Sequence, residues 1–146
     1  MNADKVKLTR GIIAIFWLGF FMAISFMEAP LKFTAPGLSM AEGLQIGKII
    51  FGTLNKCEWV FLIIILITCF IKSASLTSLY LIAAMAIIML LETAWLLPVL
   101  DEGADRIIHG QPFMHGQLHW VYIILEIIKV PLLLLIGLVS LKPGKG

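Results

Sequence analysis

Four long apolar runs, separated by short polar stretches, set the pattern of this chain, at about residues 10 to 29, 44 to 71, 76 to 100 and 118 to 141. Each approaches the roughly 20 residues that a helix needs to cross a hydrocarbon core of about 30 Å. Closed β-barrels are written as short alternating segments, whereas these runs are continuous in Ile, Leu, Phe, Val and Ala, so the pattern predicts helices. The expected class is all-α, an integral membrane up-down four-helix bundle. With the spans and their connections using nearly all of residues 1–146, a single domain is expected, with no room for a soluble catalytic module.

Composition agrees with this picture. Hydrophobic residues make up 60% of the chain and charged residues 14%, with a mean hydropathy of +1.02, so lipid rather than water is the main solvent. The net charge of +2 hides an asymmetry. Lys5, Lys7, Arg10, Lys72, Lys142 and Lys145 fall on one side, opposed by Asp4, while Asp101, Glu102, Asp105 and Arg106 fall on the other. The positive-inside rule therefore predicts cytoplasmic termini. No basic run with interleaved aromatics exists to track nucleic acid.

The stretch "KSASL" joins the second and third runs tightly enough to make them antiparallel neighbours, and the longer connections, near 30 to 43 and 101 to 117, lie on the outer side. "SMAE" at Ser39 to Glu42 fits a capping box and allows the second helix to begin there. "AIS" at Ala23 to Ser25 is similar to a signal-peptidase site, which makes removal of the first span an alternative. Against removal stand an apolar run longer than most signal cores and the loss of a charged helix from the bundle. Cys57 and Cys69 are separated by roughly 18 Å along one helix, too far for a disulfide.

Charge within the apolar runs is the informative departure from the pattern. Every span carries one glutamate, Glu28, Glu58, Glu92 and Glu126. Counted from the cytoplasmic helix ends at about 1.5 Å per residue, they lie at depths of roughly 27, 20, 24 and 22 Å, with Lys56 and Lys129 at about 22 and 18 Å. Up-down topology thus puts all six at one level, inside the hydrocarbon and towards the outer leaflet. A charge at mid-helix costs on the order of 2.5 to 3.5 kcal/mol to insert, so these groups are expected to face inward and pair. In the last span His119, Tyr122, Glu126 and Lys129 recur every three or four residues along one stripe. The second span offers Lys48, Asn55 and either Glu58 or Trp59, and Gly43 and Gly47 form a small-xxx-small pattern that permits close packing.

Prolines adjoin three of the acids: Pro30, Pro98 and Pro131. A proline inside a helix releases the carbonyl four residues earlier, here Ala94 and Ile127, leaving polar backbone near the carboxylates. A narrower alternative is a metal site built on His109, His115 and His119 beside "DEGAD", with His115 and His119 four apart. No Glu-x-x-His or His-Glu-x-x-His motif occurs, nor a phosphate-binding glycine loop, a nucleophile elbow or a haem-type histidine pairing, so no cofactor is expected.

At "FMEAPLKFTAPGLSMAEGLQIGKIIFGTLNKCEW" and "HWVYIILEIIKV" the chain resembles a group of small uncharacterised bacterial four-helix membrane proteins. The matching positions are Glu28, Pro30, Lys32 and Phe33, then His119, Tyr122, Glu126 and Lys129. A more distant similarity is to the transmembrane protein 205 group. The resemblance implies a multi-pass protein of the bacterial plasma (inner) membrane and lends no activity. The net acidity of the layer points to binding of a proton or small cation, within a transport or exchange cycle. Four helices make a narrow path, so transport would call for a second copy or a membrane partner. The alternatives are a membrane enzyme or binding protein for a lipid or quinone, with Glu126 as base and His119 as acid, and a structural or assembly subunit. Catalysis is the less expected outcome.

Overall fold

The computed structural model describes residues 3–71, 74–112 and 117–142. Lys72, His115 and Lys145 lie outside the described residues. Among those described, four helices are long and apolar enough to cross a membrane: α1 (Asp4–Thr34), α2 (Met40–Ile71), α3 (Leu76–Ile108) and α4 (Gln117–Leu141). Each helix packs on two others in a closed ring, α1 between α4 and α2, and α3 between α2 and α4. The all-α, membrane-spanning bundle expected from the hydrophobic pattern is the fold observed.

The helix ends differ from the apolar runs, and local chemistry accounts for it. The capping box sets the start of α2: the Ser39 amide donates to Glu42 Oε2 at 2.8 Å, and the Glu42 amide donates to Ser39 Oγ at 3.2 Å. Instead of ending at 100, α3 continues for two polar turns to Ile108. Glu102 and Arg106 pair at 2.7 Å one turn apart, and Lys48 on α2 reaches Asp105 at 2.6 Å. Gly110, at φ +72°, then closes the helix, with the Gln111 amide donating to the Arg106 carbonyl and the Gly110 amide to that of Ile107. The first part of the expected connection, 101–108, is therefore helix.

Prolines leave a specific mark. Before Pro30 and Pro98 the helices widen into π-turns at Ala23–Glu28 and Glu92–Leu96, where the amides of Ala29 and Leu97 donate five residues back, to Ile24 and Glu92. The wider turn relieves the contact that a proline ring makes with the carbonyl four residues earlier. Around Pro131, by contrast, α4 stays α-helical.

The core combines Ala14, Trp17 and Phe21 of α1, Leu54, Leu62 and Ile65 of α2, Ile82, Met85 and Met89 of α3, and Leu133 and Ile136 of α4. Glycines bring α1 and α4 together: a Cβ on Gly11 would stand 2.5 Å from Leu141 Cγ, and one on Gly137 would stand 2.6 Å from Ile15 Cδ1. At the cytoplasmic side expected for the termini, Arg10 is buried and donates from Nε to Thr68 Oγ1 at 2.9 Å and from Nη2 to the Thr68 carbonyl at 3.0 Å. Both cysteines are free.

Candidate functional site

Helical periodicity aims one acid from each of three helices at a common point. On α2 the buried stripe runs through Leu54, Asn55, Glu58, Leu62 and Ile65, and on α4 through Tyr122, Glu126, Lys129, Leu133 and Ile136. Glu92 opens the π-turn of α3 and is buried with Leu96. The three carboxylates converge on Lys129 Nζ, which lies 2.7 Å from Glu126 Oε1, 2.9 Å from Glu92 Oε2, and 3.0 and 3.1 Å from the two oxygens of Glu58. Side-chain exposure is 0% for Lys129 and at most 3% for its partners.

The first helix completes the enclosure. Trp17 Nε1 donates to Glu58 Oε1 at 3.0 Å, and the Phe21 ring centroid lies 4.9 Å from Lys129 Nζ. Beside the cluster, the Thr93 hydroxyl accepts from Trp59 Nε1 at 2.8 Å and lies 3.0 Å from its acceptor Asn55 Oδ1. Three oxygens, Glu92 Oε1 and both of Glu126, are buried without a hydrogen-bond partner among the described residues, Glu126 Oε1 being held by the ion pair to Lys129 alone.

The charge count is unbalanced. Three carboxylates face one ammonium, so full ionisation would leave two negative charges in excess in a dry interior, where an unpaired ion costs several kcal/mol. Ligand atoms of Glu58, Glu92 and Glu126 all lie within 4.8 Å of one another, the spacing of a cation site. Lys129 already occupies its centre. A hard divalent ion needs oxygens at about 2.0–2.6 Å, and reaching them would require the lysine to swing out.

A half-open cavity of about 640 Å³ leads from the helix ends opposite the chain termini down to Glu126. Its walls are chiefly apolar, with Ser25, Lys32, Lys48, Asp101, His119, Tyr122 and Glu126 as the polar exceptions. Tyr122 is buried edge-on against Phe51, their ring centroids 5.5 Å apart.

The expected layer of six charges is thus divided. Glu58, Glu92, Glu126 and Lys129 meet. Glu28 stands outside the cluster, paired with Lys32 one turn further on its own helix at 3.6 Å, at the end of α1 that lines the cavity. Lys56 is exposed on the outside of the bundle, one residue round the helix from Asn55 and so off the inward stripe. The histidines form no ligand set among the described residues: His109 is exposed with Nδ1 2.7 Å from the Asp105 carbonyl, and His119 sits exposed on the cavity wall.

Trp17, Phe21 and Thr93 are not among the residues that the charge pattern points to, and Arg10 enters it only as a flanking charge. The signal was present for three of them, since Arg10, Ala14, Trp17 and Phe21 recur every three or four residues on α1.

No curated protein and no solved structure matches the chain. Over residues 12–106, a stretch that holds Glu58 and Glu92 but stops before α4 and its Lys129, the sequence matches a family profile, and the chain belongs to that family, described as a domain of unknown function, DUF4149.

Proposed function

We propose that this multi-pass membrane protein holds exchangeable protons on the Glu58, Glu92 and Glu126 cluster and passes them through the cavity above Glu126, with the site towards the outer face of a bacterial inner membrane and both termini cytoplasmic. The observation that carries the reading is the burial of three carboxylates around one ammonium. Lys129 supplies the resident cation, so the remaining negative charge is balanced most simply by protons, which need no added volume. Protonated carboxyl groups also supply donors for the buried Glu92 and Glu126 oxygens that have none. Glu126 is the exchange point because it belongs to both the cluster and the cavity lining.

The test is infrared difference spectroscopy of the protein in lipid nanodiscs. A carboxylic-acid carbonyl band is expected at neutral pH, shifting on deuterium exchange and diminished in Glu126→Gln. Absence of the band, or its survival unchanged in Glu126→Gln and Glu92→Gln, would refute proton storage at this site. In proteoliposomes carrying a pH dye, dissipation of an imposed gradient by wild type and not by Glu126→Gln would extend storage to transport.

The alternative of a lipid- or quinone-binding protein draws support from one observation, the apolar cavity between the helix ends.

A further inference from the structure

Lys32 is an anomaly in that cavity. Its side chain is 8% exposed, its ammonium nitrogen is buried, and no hydrogen-bond acceptor reaches it among the described residues. Glu28 Oε2, at 3.6 Å, is an ion pair beyond hydrogen-bond range, and the Phe51 and Phe33 rings, 5.0 and 5.4 Å away, satisfy the charge but none of the three N–H donors. Gly47 makes the room: a Cβ there would stand 3.2 Å from Lys32 Nζ. Lys48 adds a second cation to the lining, already engaged by Asp105. Apart from Ser25, Asp101, His119, Tyr122 and Glu126, the rest of the lining is hydrocarbon, including Phe26, Phe51, Leu97 and Leu100. At about 640 Å³ the cavity falls within the usual range of roughly 300–1,000 Å³ for small-molecule sites.

We infer that the cavity binds a single anionic amphiphile, whose carboxylate or phosphate oxygens accept hydrogen bonds from Lys32 and whose hydrocarbon body lies against the apolar wall. An acceptor-bearing head meets the donors that the chain leaves unmet, and an aliphatic body matches the rest of the lining. The shared chemistry belongs both to a fatty acid and to an anionic phospholipid. The inference concerns the same cavity as the proton pathway but does not need the proton, because its readout is at Lys32, whereas the infrared band reads Glu126.

Purified protein in neutral detergent would be titrated with palmitate, with phosphatidylglycerol and with phosphatidylcholine, with bound ligand counted by native mass spectrometry. One equivalent of palmitate or phosphatidylglycerol is expected to bind at least tenfold more tightly than phosphatidylcholine. The stronger of the two identifies the head group. Lys32→Met should weaken that ligand about 10- to 100-fold, as loss of a charged hydrogen bond does, without shifting phosphatidylcholine. Gly47→Ala keeps the charge but crowds the ammonium, and should weaken the same ligand should Lys32→Met fail to fold. Equal binding of all three lipids, or unchanged anionic binding in folded Lys32→Met or Gly47→Ala, would overturn the inference.

Discussion

Lys129 does at the scale of one residue what three helices require together. Its ammonium donates hydrogen bonds to both oxygens of Glu58 and to Glu92 and ion-pairs with Glu126, so its removal leaves three buried acids without a counter-charge. Lys129→Met is therefore expected to destabilise the protein by about 3–5 kcal/mol, read as a fall in unfolding midpoint in detergent. Replacing all four groups with apolar residues, Lys129→Met with Glu58→Leu, Glu92→Leu and Glu126→Leu, is expected to be neutral or stabilising by about 1–4 kcal/mol, since no charge is then buried. A quadruple variant as unstable as Lys129→Met would mean that the acids are held by something besides this lysine. The presence of a costly ionic cluster where an apolar one would serve is what makes a purely structural role the weaker reading. It also explains the charge pair in "LEIIKV": Glu126 and Lys129 lie on one face of α4 and meet Glu58 and Glu92 there.

At the scale of elements, the bundle is set by close approach as much as by charge. The Gly11 and Gly137 contacts let α1 lie against α4, which brings Trp17 to Glu58 and Phe21 to Lys129. Gly137→Ala is expected to cost about 1–3 kcal/mol by overpacking against Ile15. Adding Ile15→Ala should recover part of that loss, because the clash is with the tip of a flexible side chain. Thermal unfolding of the single and double variants measures both effects. The π-turns before Pro30 and Pro98 act at the same scale, since each adds a residue to one turn and so rotates all that follows. The sequence could name the prolines but not which of the three would widen its helix: two did, and α4 absorbed Pro131 without a π-turn.

For the whole molecule, the distribution of lysine and arginine predicts an orientation with both termini cytoplasmic. In a background of Cys57→Ser and Cys69→Ser, Arg106→Cys is expected to react with a membrane-impermeant maleimide added to intact cells, and Lys142→Cys only after lysis. The reverse labelling would place the cavity and Lys32 on the cytoplasmic side and turn the proposed proton path around. The polar extension of α3 to Ile108, braced by Lys48 and Asp105, forms one rim of that cavity. Its helical character was hidden in the sequence because an outer segment with Gly103 and four charges reads as a loop until a neighbouring helix supplies a partner.

By itself the sequence determined the number of spans, their helical state and their antiparallel order, because those depend on local quantities: hydropathy, run length and turn length. It also determined the capping box, which involves only residues three apart. Tertiary structure alone decided which charges meet. Depth says nothing about azimuth, and one residue of helix is a rotation of about 100°, enough to send Lys56 outward while Asn55 and Glu58 face in. It likewise separated Glu28 from the other acids, set Trp17 and Phe21 around Lys129, and opened a cavity at Lys32, since each depends on how closely two helices approach and in what register.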